Sequence, residues 1–185
     1  ASPLGDTQLQ GSGALVVTDT DVWLGAPAVD GSVVRFDRDL NPIGVPIVPP
    51  DDESLFGAAL VVEGDRLYVG QPRESDPGRV LIYEIDGAQV NLLETLTSTS
   101  PERGDGFGRS LARVGTQLAV GLPSLPERRS TSQNNRVLLF EEQAGAWVYA
   151  AALRPQVLGT LWFGSAMAAG PDGQLFVGAS ASYTC

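Results

Sequence analysis

The sequence predicts an all-β protein, a β-propeller built of four-stranded antiparallel blades. Three observations predict it. One pattern recurs about four times along the 185 residues, each copy carries short apolar runs separated by tight-turn residues, and nothing keeps a helical period over three turns. A single sheet of this kind buries its faces only against neighbouring sheets, and propeller blades do so.

The first two strands of each copy align without gaps. Gly13-Ala-Leu-Val-Val-Thr-Asp-Thr-Asp-Val-Trp-Leu-Gly-Ala-Pro27 lies over Ala58-Ala-Leu-Val-Val-Glu-Gly-Asp-Arg-Leu-Tyr-Val-Gly-Gln-Pro72 at an offset of 45 residues. Phe56-Gly57 through Pro72 then matches Phe107-Gly108 through Pro123 at an offset of 51. Phe163-Gly164 opens a fourth copy, which Gln174-Leu-Phe-Val-Gly-Ala-Ser180 closes. Within each copy a short turn such as Glu63-Gly64-Asp65-Arg66 joins the two strands, and Gly64 can take positive φ there without steric cost. Gly25, Gly70 and Gly121 end the second strand, and Pro27, Pro72 and Pro123 follow where a missing N–H does no harm. The Phe of each Phe-Gly pair is expected to pack between blades, its glycine admitting a close backbone approach.

Third strands are expected at Ser32–Phe36, Arg79–Tyr83 and Arg136–Phe140, and fourth strands at Pro42–Val48, Gln89–Leu96 and Ala146–Leu153. The chain therefore divides as one partial propeller over residues 1–185, with repeats near 11–54, 55–105, 106–161 and 162–185. That makes three full repeats and the first half of a fourth. Downstream sequence or another chain is expected to complete the ring, because an open sheet edge is one that proteins normally cover.

Composition narrows the chemistry. Twelve basic against twenty-two acidic residues give a net charge of −10, which repels phosphate backbones and argues against nucleic acid as a partner. Every basic residue is Arg, with no Lys and no His. Triad nucleophiles, Schiff bases and imidazole-ligated metals are thereby removed, leaving carboxylate chemistry and hard cations. No apolar run reaches the length of a transmembrane segment. The lone Cys185 either stays a free thiol or pairs with a cysteine elsewhere.

Phe56-Gly57 with Val69-Gly70-Gln71-Pro72, Phe107-Gly108 with Val120-Gly121-Leu122-Pro123, and Leu24-Gly25-Ala26-Pro27 resemble the FG-GAP repeat of integrin α-chain propellers and related bacterial surface proteins. The resemblance implies a seven-bladed ring, extracellular or cell-surface placement, and partner binding by loops on one face. Many repeats of that family hold calcium between strands one and two. Here the corresponding turns, Thr18–Asp21, Glu63–Arg66, Val114–Gln117 and Gly170–Gln174, are too short and too poor in carboxylates to wrap a cation, so no cofactor is expected. Asp37-x-Asp39-x-Asn41 is the nearest remaining pattern, and Pro42 after it favours a plain hairpin turn.

The loops from strand two to three and from strand four to the next repeat share one face and are long and polar. They make that rim the expected partner-binding surface, with Asp51, Asp52, Glu53, Arg73, Asp76, Arg103, Asp105, Arg128 and Arg129 as its candidate residues. Arg103-Gly104-Asp105 also spells the tripeptide integrins recognise, inside a repeat junction where it arises readily by chance. Glu141 and Glu142 point to opposite faces of a strand and do not form an acid/base pair. Trp23, Trp147 and Trp162 fall in or beside strands and read as packing residues. The expected function is a secreted binding scaffold, not an enzyme, engaging a protein or glycan partner. The alternatives are an accessory propeller of a larger secreted enzyme and a structural subunit of a surface assembly.

Overall fold

The computed structural model describes residues 13–27, 31–51, 55–73, 77–100, 105–123, 135–156, 160–179 and 181–182. They form strands and turns only. Strands β1 (Leu15–Val17), β2 (Asp21–Ala26) and β3 (Ser32–Asp37) make the first antiparallel sheet. The second sheet has four strands in chain order: β4 (Ala59–Glu63), β5 (Arg66–Gln71), β6 (Arg79–Asp86) and β7 (Gln89–Thr97). A third repeats that order with β8 (Leu111–Val114), β9 (Gln117–Leu122), β10 (Arg136–Gln143) and β11 (Ala146–Leu153). Beyond it β13 (Ala166–Ala169) pairs with β14 (Leu175–Gly178), and the two-residue strands β12 (Thr160–Leu161) and β15 (Ala181–Ser182) pair with each other.

The fold is thus all-β, several separate antiparallel sheets set side by side, two of them four-stranded as the repeat predicts. The first sheet departs from that expectation. Its fourth run, Pro42–Val48, touches β3 only through isolated bridges at Phe36–Pro42 and Val33–Ile47. Pro42 and Pro46 bring no N–H to a ladder, so that run cannot become a continuous strand.

The core lies between sheets, and period-two alternation assigns each side chain to one side. From the second sheet, Leu67, Val69, Leu81 and Tyr83 face the first and pack with Trp23, Val33 and Phe56. Tyr68, Val80, Ile82 and Leu96 face the third sheet and pack with Phe107, Leu118, Val120, Leu138 and Phe140. Phe163, Met167, Leu175 and Val177 repeat the arrangement on the far side of the third sheet, against Ala112, Ala119 and Val137. Phe56 and Phe107 are fully buried in these seams, as expected of their Phe-Gly pairs.

The glycines explain why the seams look alike. A Cβ on Gly25 would stand 2.0 Å from the Gly57 carbonyl oxygen, one on Gly70 2.0 Å from that of Gly108, and one on Gly121 2.1 Å from that of Gly164. Gly57, Gly108 and Gly164 share nearly one left-handed backbone, at φ 87°, 86° and 85°. Neither partner of such a contact can carry a side chain, so the repeated Phe-Gly and Gly-x-Pro are the two halves of one backbone contact.

Candidate functional site

Strand register builds a charged node at the end of the second sheet where the long loops emerge. Gln71 closes β5 and Arg79 opens β6, and the two are directly opposed. Gln71 is fully buried, and its Oε1 accepts from Arg79 Nε at 2.7 Å. The far side of the same guanidinium reaches Asp51, in the loop from the first sheet, with Nη2 to Oδ1 at 2.5 Å. Arg73 approaches the other oxygen of Asp51, Nη2 to Oδ2 at 3.5 Å. One carboxylate therefore faces two guanidiniums, whose side chains are 15% and 14% exposed while that of Asp51 is 36% exposed. Packing two cations side by side in a half-buried place requires an anion, and Asp51 supplies it.

Of the rim residues expected from sequence, Asp51 and Arg73 come together here. Asp105 does not join them. Its Oδ1 accepts from the backbone N–H of Phe107 at 3.0 Å and of Gly78 at 3.1 Å, tying the loop before the third sheet to the loop before β6. Asp52, Glu53, Asp76, Arg103, Arg128 and Arg129 lie outside the described residues. The sequence reading missed Gln71 and Arg79, which looked like ordinary strand residues. The signal was present: the third run opens with Arg in two repeats, Arg79 and Arg136, and a hairpin partner follows once register is assigned.

At the opposite end of the sheets Arg35 and Arg113 are consumed by structure. Arg35 gives Nε and Nη2 to Asp21 Oδ2 at 2.9 and 2.6 Å, and its guanidinium carbon lies 4.9 Å from the centroid of the Trp23 ring. It stands at the edge of an open recess of about 510 Å³, lined also by Thr18, Val62 and Ile85. Arg113 bonds Glu63 at 2.6 Å and sits 5.0 Å from the Trp147 ring and 5.7 Å from Tyr68, which contact each other edge to face. Burial pushes the Tyr68 hydroxyl above its ordinary pKa, and the nearby Arg113 charge works against that. Asp37 makes the expected turn: Oδ1 accepts from the N–H of Asp39 and Asn41, and Oδ2 from Asn41 Nδ2. These bonds, the Asn41 side chain first, hold its carboxyl below the usual range. Among the described residues no cluster of three metal-ligating side chains forms, and no helix is long and apolar enough to cross a membrane.

No family model matches the chain, and no curated protein matches it. Solved structures do. One is a candidate 6-phosphogluconolactonase of Bacteroides fragilis, 15% identical, with a TM-score of 0.55 over 89% of this chain. The chain spans 47% of that protein's length. These findings correct the FG-GAP assignment, and with it the integrin-like adhesive binding scaffold and the exclusion of enzyme activity. The physical reason lies in the seams. Phe-Gly and Gly-x-Pro here record a buried aromatic and a glycine-to-glycine backbone contact, a packing solution open to any chain that stacks such sheets, whatever it does.

Proposed function

We propose that these sheets are blades of a β-propeller of enzymatic kind, and that it opens a small sugar lactone by hydrolysis. The observation that carries the proposal is the node of Asp51, Arg73, Arg79 and Gln71 at the loop end of the second sheet. The structural likeness to a candidate 6-phosphogluconolactonase supports the reaction class.

Lactone hydrolysis suits a chain without His or Lys. The ring ester is already electrophilic, so the protein's task is to orient it and stabilise the charge that develops. Water oxygen adds to the carbonyl carbon as one of its protons passes to the Asp51 carboxylate, and the carbonyl oxygen becomes an alkoxide. The alkoxide re-forms the carbonyl by breaking the bond to the ring oxygen, which takes the proton back from Asp51 and leaves as the hydroxyl of the open-chain acid. Arg79 spends Nε on Gln71 and Nη2 on Asp51, and a guanidinium has further N–H donors to offer an alkoxide. Asp51 fixes both arginines and presents a partly exposed carboxylate to the attacking water.

The test is acid release from gluconolactone and from 6-phosphogluconolactone by the full chain, followed at constant pH against the spontaneous rate. Acceleration is expected. Loss of one oxyanion donor costs on the order of 10²-fold in kcat, and Arg79→Gln should show a loss of that size. No acceleration of either lactone by the wild-type chain would overturn the proposal.

A further inference from the structure

The residue two places before each strand-ending glycine points at the next sheet. It is Trp23, Tyr68 and Ala119 in the first three sheets, and all three are buried. Phe176 holds the same place before Gly178 and is 60% exposed. Ala166 and Ala168 share its face, since they oppose Gly178 and Phe176 in register while Met167 and Val177 turn to the third sheet. Gly178 differs from its counterparts in the same way. A Cβ on Gly25, Gly70 or Gly121 would meet a carbonyl oxygen of the next sheet, whereas one on Gly178 would first meet, among the described residues, the Ala166 carbonyl of its own sheet at 3.4 Å.

The first sheet carries the other half of such a seam. Ala14 and Val16 turn to the second sheet, so Leu15 and Val17 point the other way, with Leu24 and Val22 opposed to them on β2. Leu15 is 62% exposed. In the repeat it stands in the place of Leu60 and Leu111, which are buried against the preceding sheet. Leu24 stands in the place of Val69 and Val120, both fully buried. Neighbouring sheets meet through their opening strands, β1 on β4, β4 on β8 and β8 on β13. The fourth sheet thus exposes residues that elsewhere meet a following sheet, and the first exposes residues that elsewhere meet a preceding one.

We propose that a second copy of this chain covers both faces, the fourth sheet of each copy packing on the first sheet of the other, β13 against β1, in a closed head-to-tail pair. The three seams within one chain show what such a face accepts, and the first sheet presents it in the same register places. Neither patch carries a charge, so two chains of net charge −10 can meet without burying one. The structure of like fold supports closure at two copies, since the match takes in 89% of this chain and 47% of that one. This seam differs from the others in one place: Gly11-Ser12 stand where they have Phe-Gly. It has one aromatic less to bury, which makes it a reversible contact. The pairing does not rest on the lactone reading.

Analytical ultracentrifugation of the full chain from micromolar to millimolar concentration tests the pairing. A species of twice the chain mass is expected, dissociating on dilution. Phe176→Asp and Leu15→Arg each place a charge on one half of the seam and should raise the dissociation constant about tenfold or more. Circular dichroism and urea midpoints verify that each variant is folded, and Phe176→Ser serves if Phe176→Asp does not fold. An equimolar mixture of Phe176→Asp and Leu15→Arg should pair more tightly than either variant alone. One of its two contacts is unaltered, and the other sets Asp against Arg across the seam. A chain that stays monomeric throughout overturns the pair. So does a dimer that either substitution leaves unchanged, a mixture that shows no rescue, or a set of oligomers that lengthens with concentration.

Discussion

The second and third sheets are near copies that end differently. Both have four strands in the same order, both enclose a Phe-Gly seam, and both carry a bulge at the same place in the third strand, between Ile82 and Tyr83 in one and between Leu139 and Phe140 in the other. At the loop end the second sheet closes a network of Gln71, Arg79, Asp51 and Arg73, while the third leaves Arg136 Nε without a partner. The difference teaches that the repeat keeps what sets the spacing of sheets and frees the residues that close their strands. Chemistry then varies sheet by sheet on a fixed frame.

The most damaging way to break the comparison is to fill the contact the two sheets share. Gly70→Ala or Gly121→Ala places a Cβ about 2 Å from a carbonyl oxygen of the next sheet, and either change should cost on the order of 3 kcal/mol or more in urea unfolding. Gly64→Ala is the control, at φ 58° with nothing nearby, and should cost only about 1 kcal/mol of backbone strain. Equal losses at Gly64 and Gly121 would dispose of the seam argument.

Next in size is the clamp between the two sheets. Arg113→Ala removes the ion pair with Glu63 and the stacking on Tyr68 and Trp147, and should destabilise by about 1–2 kcal/mol. A double-mutant cycle with Trp147→Leu should show coupling of a few tenths of a kcal/mol or more, and strict additivity would contradict a direct contact. Gln71→Leu makes the second sheet resemble the third. Leaving Arg79 Nε unpaired should cost about 1–3 kcal/mol, and in the hydrolysis assay it should impair the lactone step more than substrate binding.

The smallest effect is alkaline. Burial raises the Tyr83 hydroxyl to about 12, so the folded state holds a proton that the unfolded chain gives up near 10. Stability attributable to Tyr83 is intact below pH 10 and declines as pH rises from 10 towards 12. Tyr83→Phe should flatten that decline in unfolding measured across this range.

Much of the fold was legible because a repeat supplies its own alignment. Gly25, Gly70 and Gly121 fall in one column, and a column of glycines before proline marks a strand end without any structure. The first sheet's fourth strand was misjudged because Pro42 and Pro46 sit in an apolar run whose composition looks like a strand while its hydrogen-bonding capacity does not. The candidate site was half legible. Asp51 and Arg73 announced themselves as charges in loops, whereas Gln71 and Arg79 lie within strands and meet only through register. Asp105 stood out as a charge in a loop, while its bonds to two backbone N–H groups become visible only once the loops are placed. The family assignment failed for a related reason: the recurring residues report how sheets touch, and touching is silent about function.

The glycine contacts set the pitch of the molecule by the thickness of the polypeptide backbone instead of by the volume of any side chain. A pitch defined that way does not drift when neighbouring residues change size. Positions such as 71 and 122 can therefore carry glutamine in one sheet and leucine in the next, leaving the facing arginine bonded or unbonded, without shifting the sheets they cap. New specificity can be tried one sheet at a time, with the alignment of every other sheet untouched.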